Sequence, residues 1–363
     1  MHADHYRGTL GSDPRRHHER LDPDTPSTSW SSAPAPPASR WARARGGRAL
    51  RAPGRQGPLT SNLLRVPRYM KFFTTRDRLE IPDVPFTSSD DKPDLQQALI
   101  YYRAVVDHYD SPVAPHETVL EATPGDTAGI FRVLTRVEGE ERVRRARNVV
   151  LATGYFGNPR RLGVPGEDEP WVHSRYLEPY RHHGERVVLV GGGNSSCEAA
   201  LELWRNGVAS VTMVVRKDEL KQSVKYWVKP DVENRIAEGS IDALFDSEVE
   251  SFADHVVRVR TPDGPRELPA DAAYVLIGYD TDASLLARCG VTVDPETLVP
   301  RFDEDSCETD VPGFYVAGAV QSGRDTNRIF IDNSRDHGAR IVRDVLEKRV
   351  GERREATRQV STD

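Results

Sequence analysis

Arg186-Val187-Val188-Leu189-Val190-Gly191-Gly192-Gly193-Asn194-Ser195-Ser196 is the stretch that decides the fold. An apolar strand enters a glycine turn, and the turn opens a helix on which Cys197, Ala200, Leu201 and Trp204 share one face. Gly207 closes that helix, and a second strand, Val211 to Val215, stops at Arg216. This is a dinucleotide-binding βαβ unit of the form G-x-G-x-x-S, with Ser196 in the third glycine position. Gly191 permits the tight turn and Gly193 lets the backbone approach a pyrophosphate. The helix start, Asn194, Ser195 and Ser196, offers unpaired N–H groups and the positive end of the helix dipole. Arg216 stands where an acidic residue would hold the ribose hydroxyls of NAD; a guanidinium there suits a 2′-phosphate, which points to NADPH. The competing reading of Arg216 and Lys217 is a pair of solvated strand-end charges.

The length of 363 residues suits two domains or one large one. A net charge of −6 gives no sign of a nucleic-acid partner, and the basic clusters Arg142 to Arg147 and Arg349 to Arg354 read as solvated faces. No apolar run approaches the roughly eighteen residues of a membrane helix, and no secretory h-region is visible, so a cytoplasmic location and no membrane partner are expected. The three cysteines, Cys197, Cys289 and Cys307, form no C-x-x-C, which argues against a local dithiol or a zinc site. Cys197 falls on the buried face of the glycine-turn helix and reads as a small core residue.

Residues 1–57 are rich in Arg, Pro, Ser and Ala and show neither helical nor strand periodicity, so composition reads them as disordered. Beyond them a helix is expected from about Asp94 through Leu99, Tyr102, Val105 and Val106. Strands are expected at Phe131 to Val137 and Asn148 to Ala152, the latter running into Thr153-Gly154. After the nucleotide unit come a helix near Val232 to Glu238, a strand Ala273 to Ile277, and a strand Phe314 to Ala317 ending in Gly318. A helix around Gly338 to Leu346 comes last. Two strands thus end in small turns, Ala152-Thr153-Gly154 and Val316-Ala317-Gly318, on either side of the nucleotide unit. The expected class is α/β: two Rossmann-like three-layer dinucleotide-binding domains, one inserted into the other.

Several runs resemble the flavoprotein pyridine-nucleotide disulfide oxidoreductases, and within them the YpdA-like bacillithiol-disulfide reductases. They are Met70-Lys71-Phe72-Phe73-Thr74-Thr75, Leu79-Glu80-Ile81, Pro85-Phe86, Ala152-Thr153-Gly154-Tyr155-Phe156 and the Gly191 to Ser196 turn. The last are Asp325-Thr326-Asn327-Arg328-Ile329-Phe330-Ile331-Asp332-Asn333 and His337-Gly338. The resemblance covers roughly residues 57–350. It implies an outer FAD domain in two parts (58–175 and 294–350), an inserted NADPH domain (176–293), a tail (351–363), and hydride transfer from NADPH to FAD. It also implies a small-molecule disulfide substrate such as bacillithiol disulfide, and a homo-oligomer. Carried over by position, Thr153, Gly154, Gly318 and Ala319 lie near FAD. Gly191, Gly193, Asn194, Ser195, Ser196 and Arg216 lie on NADPH. No metal is implied, and no catalytic residue is named.

The chain departs from that family in two places. Ala319 stands where many relatives carry an aspartate against the ribityl chain. More severely, the opening strand, Gly-x-Gly-x-x-Gly turn and helix that cradle the FAD pyrophosphate are missing from residues 1–57, and the family's reactive cysteine inside that turn is missing with them. A GC-rich coding region read out of frame yields such Arg-, Pro- and Ala-rich sequence. Two other functions remain open: a flavin-dependent monooxygenase, kept alive by Ala152 to Tyr155 and Gly157-Asn158-Pro159, and an NADPH-binding protein whose flavin half is vestigial. His337 and Tyr155 read as an ordered loop histidine and a packing tyrosine, not as acid–base groups.

Overall fold

The computed structural model describes residues 27–31, 48–51 and 58–360. Its strands in chain order are β1 (Ser27–Ser31), β2 (Arg48–Arg51), β3 (Val113–Pro124), β4 (Phe131–Val137), β5 (Glu140–Leu151), β6 (Val172–His173) and β7 (Arg186–Val190). They continue with β8 (Ser210–Val214), β9 (Asp242–Leu244), β10 (Glu248–Ala253), β11 (Val256–Thr261), β12 (Gly264–Pro269), β13 (Ala272–Val275) and β14 (Phe314–Val316). The helices that matter below are α1 (Leu95–His108), α2 (Asn194–Arg205), α3 (Lys229–Ala237), α4 (Ala283–Arg288) and α5 (His337–Val360).

Two strand systems build two domains. In the outer one, β3-β2-β1-β5-β14 run parallel, while β4 pairs antiparallel with both β3 and β5. At twelve residues each, β3 and β5 are long enough to serve the parallel layer at one end and the antiparallel layer at the other. Phe131, Val149, Leu151, Phe314 and Val316 pack with Leu285 and Leu286 of α4 on one face, and Ile341 and Val345 of α5 cover the other. In the inserted domain β6-β13-β7-β8-β9 form a parallel sheet. Val187, Leu189, Val211 and Met213 point to α2, while Val188, Val190 and Val214 point to the antiparallel sheet β10-β11-β12. Both faces are covered, which is why β7 reads as an unbroken apolar run. These are the two layered Rossmann-like domains expected.

Four differences have physical causes. First, Ser27–Ser31 and Arg48–Arg51 stand as strands where composition reads disorder; backbone groups hold a parallel strand between neighbours without side-chain alternation. The rest of residues 1–57 lies outside the described residues. Second, β3 is absent from the sequence reading because its centre holds a charge. Glu117 is buried, accepts from Nε and Nη2 of Arg144 at 2.5 and 2.6 Å, and accepts from Thr135 Oγ1 at 2.7 Å. Third, both crossings between domains come earlier in the chain than the expected 176 and 293: Val172–His173 already joins the inserted sheet, and α4, before residue 293, already packs in the outer core. Fourth, α5 runs on to Val360, through the expected tail, because Glu, Arg, Ala and Gln sustain a helix in the absence of proline.

The two crossings touch. Arg160 N–H donates to Gly278 O and Asp280 N–H to Asn158 O, both at 3.0 Å, and Arg160 Nε meets Asp280 Oδ1 at 2.6 Å. A short two-stranded tie therefore joins the domains.

Candidate functional site

The carboxyl ends of β7 and β13 lie side by side, and β7 is the point from which the sheet's order runs both ways, the position where open α/β sheets bind ligands. Gly191 has φ +133°, and a Cβ there would lie 2.5 Å from Leu276 O and 2.6 Å from Ser196 Oγ, so both conformation and space demand glycine. Gly192 is held by packing: its Cβ would lie 2.8 Å from Val215 Cγ1. Around Gly193 a Cβ would make only ordinary contact, with Lys221 Cδ at 3.6 Å, so its missing side chain leaves room above the turn.

Gly193 is the N-cap of α2 and supplies no side-chain cap. Asn194 does not cap either: its Nδ2 donates to Ser223 O at 3.0 Å and its Oδ1 accepts from Lys225 N–H at 2.8 Å. Ser196 is fully buried with Oγ on Leu276 O at 3.4 Å. The first-turn amides therefore have no side-chain partner among the described residues, which fits an anionic pyrophosphate. Ser196, buried, can serve a nucleotide only through its backbone, the half-buried Asn194 amide is engaged on the loop, and Ser195 is exposed.

Arg216 and Lys217 follow β8 and are exposed, with no side-chain hydrogen bond or ion pair among the described residues. Lys221 was missed by sequence reasoning. Its N–H donates to Gly192 O at 2.9 Å, which fixes its side chain against the turn at Gly193. The available signal was a lysine five residues after Arg216 in a polar loop, and sequence alone does not say that the loop folds back. Uncapped amides, Lys221 and the Arg216–Lys217 pair fit the pyrophosphate and 2′-phosphate of NADPH, which supplies a hydride when bound.

On the outer domain the structure brings Thr153-Gly154 and Gly318-Ala319 together at the carboxyl ends of adjacent strands β5 and β14. Gly154 and Gly318 have φ +62° and +71°. Thr153 O accepts from Asn62 Nδ2 at 2.8 Å, while Thr153 Oγ1 is buried with no partner among the described residues, an orphaned polar group. Ala319 is the second residue of a 3-10 helix, Gly318–Ser322, whose N-cap, Ala317, makes no side-chain bond. Gly318 N–H donates to Nδ1 of buried His337 at 3.0 Å; burial pulls the pKa of His337 down, so the imidazole is a neutral acceptor and has a structural role. Tyr155 donates to Thr326 O at 3.3 Å, and burial pushes its pKa up to about 12, as for a packing residue. These turns fit the flavin end of FAD. The pyrophosphate end does not fit: β1 stands at the centre of its sheet, but Ser32-Ala33-Pro34-Ala35-Pro36-Pro37 comes directly after it, with no glycine and three prolines that lack an N–H.

All three cysteines are buried and free. Burial raises Cys197 to about 12 and Cys289 to about 11, and raises Cys307 as well, so none is a thiolate at neutral pH. No group of three or more His, Cys, Asp or Glu able to hold a metal occurs among the described residues, and no described helix is long and apolar enough to cross a membrane.

Residues 55–318 match the family model described as pyridine nucleotide-disulphide oxidoreductase. A bacilliredoxin reductase, Bdr, from Bacillus subtilis is 34% identical over 296 residues, 81% of this chain and 89% of its own length. The solved bacillithiol disulfide reductase Bdr (YpdA) from Bacillus cereus superposes with a TM-score of 0.83 at 30% identity, covering 89% of this chain and 100% of its own. Its counterpart from Staphylococcus aureus gives 0.81 at 28% identity, with 89% and 98% covered. The chain belongs to the pyridine nucleotide-disulphide oxidoreductase family and is of its NAD(P)H-dependent, FAD-using oxidoreductase class.

Proposed function

We propose that this family member, in its native form, uses NADPH to reduce a low-molecular-weight disulfide of the bacillithiol disulfide kind in the cytoplasm. The observation that carries the cofactor is the uncapped Gly191–Ser196 turn with Lys221 folded back on it and Arg216 beside it. The substrate class comes from the relatives named bacillithiol disulfide reductase, and burial of every cysteine is consistent with a reaction that uses no internal dithiol relay. In balance, one disulfide, one NADPH and one proton give two thiols and NADP+. On this side of the reaction the chain's residues hold the phosphates, exclude water beneath the turn through Leu276 and Val215, and orient the nucleotide along α2.

We further propose that residues 1–57 are read out of frame, because the topology keeps a place for β1 while the sequence after it supplies no cradle. Translation of the underlying DNA in its other two frames should reveal an apolar strand and a Gly-x-Gly-x-x-Gly turn; neither frame containing one would refute this. The activity test uses the chain with that segment restored. Two thiols formed per NADPH consumed, with bacillithiol disulfide as acceptor, supports the reading. NADPH consumption that yields hydroxylated product instead would make it a monooxygenase, and nucleotide binding without flavin would make it a non-catalytic NADPH-binding protein.

A further inference from the structure

We infer that the nucleotide turn is mechanically tied to the outer domain, so that docking of the two domains sets NADPH affinity. This rests on the nucleotide reading above. The tie begins at Asn194, the first residue of α2, whose amide spans Ser223 O and Lys225 N–H and so pins the loop that also carries Lys221. Lys225 then reaches across the domains. Its Nζ lies 2.6 Å from Glu198 Oε1 and donates to Lys71 O at 3.2 Å, and its side chain is 11% exposed, which makes the link short and poorly screened.

Next to it an aromatic contact closes the same seam. Phe73 of the outer domain stacks on Trp227 of the loop, with centroids 5.6 Å apart and planes 16° from parallel, and Lys92 Nζ sits 4.1 Å above Trp227. Phe73 is 59% exposed and belongs to none of the buried core clusters, so domain folding does not explain its placement. One continuous path therefore runs from the phosphate turn through Asn194 and Lys225 to the Lys71–Phe73 segment. Seam contacts that hold the loop also hold Lys221 at the turn, so a formed seam favours the nucleotide, and by linkage a bound nucleotide favours the seam.

A double-mutant cycle on NADP+ affinity, measured by titration calorimetry on the whole chain, tests the tie. Phe73→Ala should weaken NADP+ binding by ~5-fold, the lower end of typical site-to-site coupling, without touching the nucleotide. The effect should vanish in an Asn194→Ala background, where the loop is no longer pinned. Lys92→Met should act in the same direction as Phe73→Ala, and both are surface changes that leave folding intact. An unchanged affinity for Phe73→Ala, or an equal loss in both backgrounds, overturns the tie. Absence of NADP+ binding to the unaltered chain overturns the nucleotide reading instead.

Discussion

Two parallel strands stand at the centres of their sheets, and the segments they lead into differ completely. β7 lies between β8 and β13 and leads into Gly191-Gly192-Gly193, where each glycine has a reason: conformation, packing, or an open approach. β1 lies between β2 and β5 and leads into Ser32-Ala33-Pro34. Both have the topology of a dinucleotide site, and only one has the chemistry. A strand's place in a sheet is fixed by backbone pairing, whereas a phosphate cradle depends on a few residues with particular dihedrals and free N–H groups. A strand at the centre of a parallel sheet is therefore not by itself a dinucleotide site.

Breaking the intact side should give the largest effect. Gly191→Ala puts a methyl 2.5 Å from a backbone oxygen at φ +133°, so both strain and a clash that cannot relax apply. NADP+ affinity should fall on the order of 100-fold, from an overpacking cost of about 1–3 kcal/mol plus the distorted turn; calorimetric titration checks it, and a change under threefold would mean the turn does not hold the phosphates. Arg216→Ala should come next. Loss of a charge-assisted contact worth about 1.5–3 kcal/mol should cut the preference for NADPH over NADH by roughly 10- to 100-fold. An unaltered preference would return Arg216 to a solvated strand-end charge.

The flavin side sharpens the contrast with smaller numbers. Gly318→Ala meets nothing within 4 Å, so only its φ of +71° opposes it, and the expected cost is about 1–2 kcal/mol in a denaturation experiment. A much larger loss would show a packing role that the open space denies. Smallest is the pH effect of His337. Its pKa is lowered by burial, so the unfolded chain binds the proton more readily, and stability falls as pH drops below the unfolded value of about 6.5. Stability contributed there is fully present above that pH. His337→Gln, which can still accept from Gly318 N–H, should flatten the acid-side slope of melting temperature against pH; an unchanged slope would show that other groups carry it.

Much of the nucleotide side is legible in the sequence because local signals coincide there: apolar run, glycine turn, amphipathic helix, Arg216. α1 is legible too, since Asp94 caps it and forms a reciprocal pair with Gln97. The features that escaped were set by distant partners. β3 hides behind the buried Glu117, whose charge is satisfied by Arg144, 27 positions away. The alternation in Val257-Arg258-Val259-Arg260 marks β11, yet its buried face has meaning only once β7 and β8 lie beneath it. Lys221 and Asn194 gain their roles from a loop that folds back on the turn, which no periodicity announces. Thr153 and Ala319, far apart in sequence, meet only because β5 and β14 pair.

The most direct test of the contrast is the flavin content of the purified chain, read from its visible absorption alongside NADP+ binding by titration. The expected result is NADP+ bound with flavin far below stoichiometric, rising to stoichiometric once a strand and glycine turn replace residues 1–57. A stoichiometric flavin band in the unaltered chain, bleached by NADPH, would contradict it, because FAD would then be held without a pyrophosphate cradle at β1.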